Sequence, residues 1–166
     1  AEVYGWQDAG SPLSEETSLH PMSPYAVSKL FADCYTQMAG RAYGLRYTVL
    51  RPSNSYGRKL NTSYVIEYLI TEMLSGHDVF VGAPDSVRDY MHISDHVEGF
   101  LAAMKSGKAE GQVLNVSTSV ATSNRSLAER IAELTGFDGQ IRYGVYPPGY
   151  PKRPASADPI YLVLDN

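Results

Sequence analysis

One run governs most of what this chain can fold into. Ser23 and Pro24 open it with helix-start chemistry, a serine followed by a ring that presets φ and needs no amide partner. No glycine or further proline interrupts it before Gly40, and Val27, Leu30, Phe31, Cys34, Tyr35 and Met38 recur at spacings of three and four. The pattern predicts an amphipathic helix closed by Gly44. Residues 45–51 then read as a strand rich in branched and aromatic side chains. A helix joined to a strand by so short a turn fits a parallel α/β layer.

Tyr25 and Lys29 are four apart on the first turns of that helix, so their side chains share one face. A free phenol, with a pKa of about 10, is a poor base near neutrality. An ammonium held a few ångströms away favours the phenolate. The pair is therefore a candidate general acid/base for an alcohol or sugar hydroxyl. Taken alone, the same spacing also describes a surface lysine beside a half-buried tyrosine.

Beyond this run, 166 residues make one domain by the usual prior, large enough to bury a core. The net charge of −4 argues against nucleic acid as a partner. Cys34 is the only cysteine, which leaves no intramolecular disulfide or cysteine-based zinc site, and its place among the apolar positions predicts a small core residue. His92 and His96 are the one close pair among four histidines. A strand-like run ends near His92, so no metal site is expected. With no apolar stretch of membrane-spanning length and no signal peptide, a cytoplasmic protein without a membrane partner is expected.

Further elements follow in order. Residues 1–4 read as the tail of a strand closed by Gly5, and residues 6–21 as a polar connection in which Trp6 anchors the loop or packs on a ligand. A helix is predicted over 62–75 with Thr62 or Ser63 as its cap, then a short strand over 79–81. Ser94 or Asp95 is the expected cap of another helix, with Val97, Phe100, Leu101 and Met104 on its buried face. A strand over 113–116, a helix over 124–135 ended by Gly136, and a last strand from Tyr161 complete the series. Pro147, Pro148, Pro151 and Pro154 make 146–158 an extended loop.

Four motifs stand in one order along the chain: Glu2-Val3-Tyr4-Gly5, Pro24-Tyr25-Ala26-Val27-Ser28-Lys29, Arg51-Pro52-Ser53-Asn54-Ser55-Tyr56-Gly57 and Arg88-Asp89-Tyr90-Met91-His92-Ile93. Together they resemble the extended short-chain dehydrogenase/reductases, and within them the NAD-dependent nucleotide-sugar epimerase/dehydratase branch. That family opens with a glycine-rich dinucleotide-binding turn absent from these residues, so the resemblance implies the C-terminal portion of such an enzyme. The implied fold is α/β: the last part of a Rossmann-type parallel sheet plus the small nucleotide-sugar domain. Residues 1–57 would end the NAD-binding domain and 58–166 would form mainly the substrate domain, with strand 113–116 returning to the Rossmann sheet.

The resemblance also implies roles. Tyr25 would remove the proton from the sugar 4-hydroxyl, and Lys29 would hold the nicotinamide ribose. The backbone at Pro52 and Ser53 would pass beside the nicotinamide of NAD, with NADP the alternative. Asn54, Thr62, Phe80, Arg88 and Arg153 would bind the nucleotide-diphosphate sugar, with the two arginines on the diphosphate. An ion pair from Arg88 to Asp89 or Asp95 is the structural alternative, and for Asn54 it is a turn before Gly57. Glu2 falls where dehydratases and decarboxylases carry a proton-abstracting glutamate, or it is a solvent-facing strand end. Ala1 replaces the acidic partner of the dehydratases, so 4-epimerisation through a 4-keto sugar is the expected reaction. A 4,6-dehydratase, decarboxylase or 4-keto reductase is the alternative, as is a nucleotide-sugar-binding fragment. The isolated chain is expected not to turn over. The Tyr25–Lys29 helix, through Phe31, Tyr35 and Met38, is the candidate homodimer face; the same residues are also candidates for the core.

Overall fold

The computed structural model describes residues 2–5, 7, 10–57, 61–150 and 161–165. Ala1, Trp6 and Arg153, and most of the proline-rich loop, lie outside the described residues. The long helix forms where predicted: α1 spans Pro24–Tyr43. The Ser23 hydroxyl accepts the Ala26 amide at 3.0 Å. At the far end Gly44 turns left-handed at φ 70° and donates to Gly40, while the Leu45 amide reaches Ala39. Behind it come β1 (Val49–Pro52), β2 (Asn54–Tyr56), α2 (Val65–Leu74), β3 (Val79–Val81), β4 (Val87–Arg88), β5 (Tyr90–His92), α3 (Ile93–Lys105), β6 (Val113–Val116), β7 (Thr122–Ser123), α4 (Asn124–Thr135), β8 (Ile141–Tyr143) and β9 (Tyr161–Leu162).

The architecture is α/β and chiefly parallel. β1 pairs with β6, placing Arg51 opposite Asn115. β2 pairs with β5 and β3 with β8, both in parallel. β4 lies between β9, parallel to it, and β7, antiparallel. Strands alternate their side chains between faces. Arg51 therefore meets Asp33 of α1 and Asn115 beside it meets Tyr4 and Leu13, whereas Leu50, Leu114 and Val116 line a groove against Gly99 and Ala103 of α3.

Two apolar clusters hold these layers. Ile66, Leu69 and Met73 of α2 pack with Val79 and Val81 of β3 and with Ala128 and Ile131 of α4. Val3, Tyr4, Leu13, Leu162 and Leu164 form the second, with Leu19 and Leu30 against it. Gly5 is needed where the first segment meets the second. It sits at φ 57° bridged to His20, and a side chain there would collide with the His20 carbonyl.

Several expectations are corrected. Residues 2–4 form a turn, closed by the Gly5 amide on the Glu2 carbonyl at 3.1 Å, and not a strand tail. The strand predicted over 45–51 is shorter and later, because pairing with β6 begins only at Val49. α2 starts behind Tyr64, with no side-chain cap, since Asn61 takes the Ser63 amide in its own turn. α3 is capped by His92, because β5 remains paired through that residue and its Nδ1 then receives the Ser94 amide.

The largest correction concerns helix faces. Val27, Phe31, Cys34 and Tyr35 are exposed, and α1 turns Ala26, Asp33 and Ala39 inward. Cys34 is therefore not a core residue. Val97, Phe100, Leu101 and Met104 are likewise exposed on α3, which meets the sheet through Gly99, close against Val116, and buries His96. Periodicity identifies an apolar stripe; the residues that cover it decide whether it is buried.

Candidate active site

The predicted residues fall into three neighbourhoods. At the head of α1, Tyr25 is 58 % exposed and the Lys29 ammonium stands 5.5 Å from its ring centroid. The helix rise brings the two together, and at this distance the cation is attracted by the ring face. The Ser28 hydroxyl donates to the Tyr25 carbonyl at 2.7 Å. Glu2 reaches the same place from the N-terminal turn, its carboxylate accepting the Ser23 hydroxyl at 3.5 Å. Two candidate proton-transfer groups and an ammonium thus gather at one helix start, exposed to solvent.

The second neighbourhood is where β1 ends. The Ser53 amide donates to Val116 at 2.9 Å, holding the strand ends of β1 and β6 together. The Ser53 hydroxyl is buried and finds no hydrogen-bond partner among the described residues. Such a group costs about 1–3 kcal/mol when left unsatisfied, and a polar ligand at the strand end would satisfy it. Asn54 follows at once, its amide on the Asp89 carbonyl at 3.0 Å, so β2 is pinned beside the strand that follows Arg88.

Arg88 itself is half-buried in β4, with Nη1 donating to Val87 at 2.9 Å. Asp89 is fully buried, and its carboxylate accepts the Thr118 hydroxyl at 2.7 Å and the Ser119 amide at 2.9 Å. Nearby Tyr90 donates its hydroxyl to Asn124 at 2.8 Å. Burial pushes the Tyr90 phenol up to about 12, against the opposing charge of Arg88. A proton held more tightly when folded stabilises fully below the unfolded value near 10 and ceases to do so as pH rises through about 12. A rise from 10.0 to about 12 corresponds to roughly 2–3 kcal/mol. Melting temperature should therefore fall between pH 10 and 12 more steeply in this protein than in its Tyr90→Phe variant; parallel curves would contradict that assignment.

The third neighbourhood is built on β3 and the turn ahead of α2. Phe80 is in β3, paired with β8, its amide donating to the Tyr68 hydroxyl at 3.1 Å and its ring 5.9 Å from the Arg142 guanidinium. Thr62 is exposed in the turn ahead of α2 and does not cap that helix.

Sequence reasoning passed over the buried polar network that joins the first two neighbourhoods. Arg51 Nε donates to Asp33 of α1 at 2.9 Å, with both side chains almost wholly enclosed. Its Nη1 reaches the Tyr4 hydroxyl at 3.1 Å and the Glu15 carbonyl at 3.2 Å. Tyr4 in turn donates to Asn115 at 2.7 Å, and the Asn115 amide group donates to Leu13 and Asp165. Burial raises the Tyr4 phenol, with Arg51 and Asn115 opposing, so it stays a neutral donor. The available signal was an acid placed opposite the apolar stripe of α1 and a cation between Leu50 and Pro52.

The chain is similar in sequence and in fold to known proteins. A dTDP-glucose 4,6-dehydratase of Streptomyces griseus is 35% identical over 144 residues, which is 86% of this chain and 43% of that protein. A UDP-glucose 4-epimerase of Thermotoga maritima, solved with UDP-glucose, superposes with a TM-score of 0.85 at 32% identity, covering 99% of this chain and 51% of the other. A Bacillus anthracis dTDP-glucose 4,6-dehydratase in complex with NAD gives 0.84 at 29% identity, covering 99% and 50%. The chain thus spans about half the length of the relatives it matches. The model of the NAD dependent epimerase/dehydratase family matches residues 1–117, which include the Tyr25–Lys29 helix start and both strand ends, and the chain belongs to that family.

Proposed function

We propose that this chain carries the substrate domain and part of the cofactor side of an NAD-dependent nucleotide-diphosphate-sugar 4-epimerase. The observation that carries the reading is the helix start, where Tyr25, Lys29 and Glu2 are held within one exposed patch. In this reading Tyr25 takes the proton of the sugar 4-hydroxyl and later returns it. Lys29 holds the Tyr25 ring and the ribose of the cofactor. The buried Ser53 hydroxyl, which has no hydrogen-bond partner among the described residues, would bond a polar group of a dinucleotide held at the end of β1. When bound, such a dinucleotide would supply hydride-transfer chemistry: with the 4-hydroxyl proton on Tyr25, loss of hydride from C4 would leave a ketone, and return of the hydride would restore the alcohol. Residues 1–57 with β6 serve the cofactor side, and the remainder serves the nucleotide sugar.

Arg88 and Asn54 grip the diphosphate; Arg153 is assigned to the same anion by its sequence motif, and Thr62 and Phe80 to the nucleotide. A planar guanidinium suits two phosphates, and remote binding of this kind positions the sugar for reaction. Arg88→Ala should weaken nucleoside-diphosphate binding by about tenfold or more, the worth of a charge-assisted hydrogen bond. Titration calorimetry with UDP checks this, and unchanged affinity would remove Arg88 from the clamp. Self-association through Phe31, Tyr35 and Met38 belongs to the same reading, since Phe31 and Tyr35 stack at 5.9 Å on an exposed face.

Epimerisation is favoured over 4,6-dehydration because Ala1 has no proton to give. Glu2 beside Ser23 supports the dehydratase as the second reading. Incubating the natural polypeptide that carries these residues with NAD and UDP-glucose or dTDP-glucose separates them by product. A 4-epimer is expected. A 4-keto-6-deoxy sugar would establish the dehydratase instead, and no conversion of any nucleotide sugar would sink both. The 166 residues alone are expected to be inactive in the same assay.

A further inference from the structure

The apolar stripe of α1 faces outward, which leaves an unusual join between this helix and the sheet. Ala26 and Ala39 are its buried apolar residues, with Leu30 half-buried beside them. Small side chains allow close approach but set little resistance to sliding or tilting of the helix. The directional contact on this face is Asp33, whose carboxylate accepts Arg51 Nε at 2.9 Å and Gln37 at 2.6 Å.

We infer that the buried Asp33–Arg51 pair, braced by Tyr4 and Asn115, sets where the Tyr25–Lys29 turns stand against the Pro52–Ser53 end of β1. This rests on the reading of Tyr25 and Lys29 given above. Asp33 lies four residues beyond Lys29 and eight beyond Tyr25, so about 6 and 12 Å of rigid helix separate it from them. Arg51 precedes Pro52 directly. One ion pair therefore links the helix bearing the phenol to the strand end assigned to the cofactor. Tyr4 extends the link to the third group, because it belongs to the turn that presents Glu2. Asn115 extends it to β6, the register partner of Arg51. Closed polar networks of this kind resist displacement, since moving one member leaves others unsatisfied.

A purely stabilising role makes a different prediction. Well-packed apolar replacements of a buried ion pair are often neutral or stabilising, whereas its best-attested special use is to specify register. Asp33→Leu combined with Arg51→Met, made in the natural polypeptide that carries this chain, separates the two. The readouts are thermal melting, KM and kcat for the nucleotide sugar, and amide hydrogen exchange. Expected is a folded protein with KM within about threefold of the parent and kcat lowered about thirtyfold or more, the scale on which an ångström of misplacement acts. Exchange at residues 26–30 should quicken about tenfold while α4 is unchanged, a local loosening rather than global unfolding. A folded double variant with kcat within threefold overturns the inference. Should that variant fail to fold, Asp33→Asn keeps the shape and an acceptor for Arg51 Nε; kcat is then expected to fall about tenfold at unchanged KM, and unchanged kcat overturns it. A parent that converts no nucleotide sugar removes the underlying reading, and the inference with it.

Discussion

Replacing Tyr25 with phenylalanine should lower turnover by about a thousandfold or more while nucleotide-sugar affinity stays within about threefold. General acid–base groups typically contribute 10²- to 10⁴-fold, and the hydroxyl is the only group of Tyr25 that this change removes. The ring remains, so its contact with the Lys29 ammonium at 5.5 Å remains too. The helix start is unaffected, because its cap is the Ser23 hydroxyl on the Ala26 amide. Tyr25 is 58 % exposed, so losing one oxygen leaves no cavity and little change in stability. Steady-state kinetics and calorimetry on the same preparation test the split. A variant retaining turnover within tenfold of the parent would dismiss Tyr25 as the proton acceptor, whatever its position on the helix.

The second large effect is on stability. Asp33→Ala should destabilise the fold by about 3–5 kcal/mol, because it leaves the Arg51 guanidinium buried without its counter-charge. Among the described residues, what remains for Arg51 is the Tyr4 hydroxyl at 3.1 Å and ring face at 5.2 Å and the Glu15 carbonyl at 3.2 Å, none of them charged. Lys29 and Tyr25 share the helix that this carboxylate anchors, so the damage extends to the helix start. Urea denaturation followed by circular dichroism measures the loss. A change below about 1 kcal/mol would mean that Arg51 swings to water at little cost, and the network would then have no anchoring role.

Much of the fold was legible because much of it is decided locally. Ser23-Pro24 and Gly44 bracket α1, and Asn124 to Thr135 with Gly136 bracket α4, as read from the residues alone. A cap is one side chain on an amide three residues away, and a left-handed terminus needs only a glycine. The starts of α2 and α3 were misplaced for the converse reason. Thr62, Ser63, Ser94 and Asp95 are all competent caps, but the Asn61 turn and the pairing of β5 through His92 settled the boundaries. The family was legible too, since its motifs are contiguous runs, and the match over residues 1–117 agrees.

By itself, then, the sequence determined the spans of α1 and α4, the α/β class and the residue types able to move a proton or grip a diphosphate, because each depends on neighbours along the chain. Tertiary structure alone decided that the apolar sides of α1 and α3 are exposed, that Cys34 lies at the surface, and that Asp33, Arg51, Tyr4 and Asn115 meet. Those four come from segments as much as 111 residues apart. Burial and ion pairing depend on which surfaces the folded chain brings together, and spacing along one element carries no record of what packs against it.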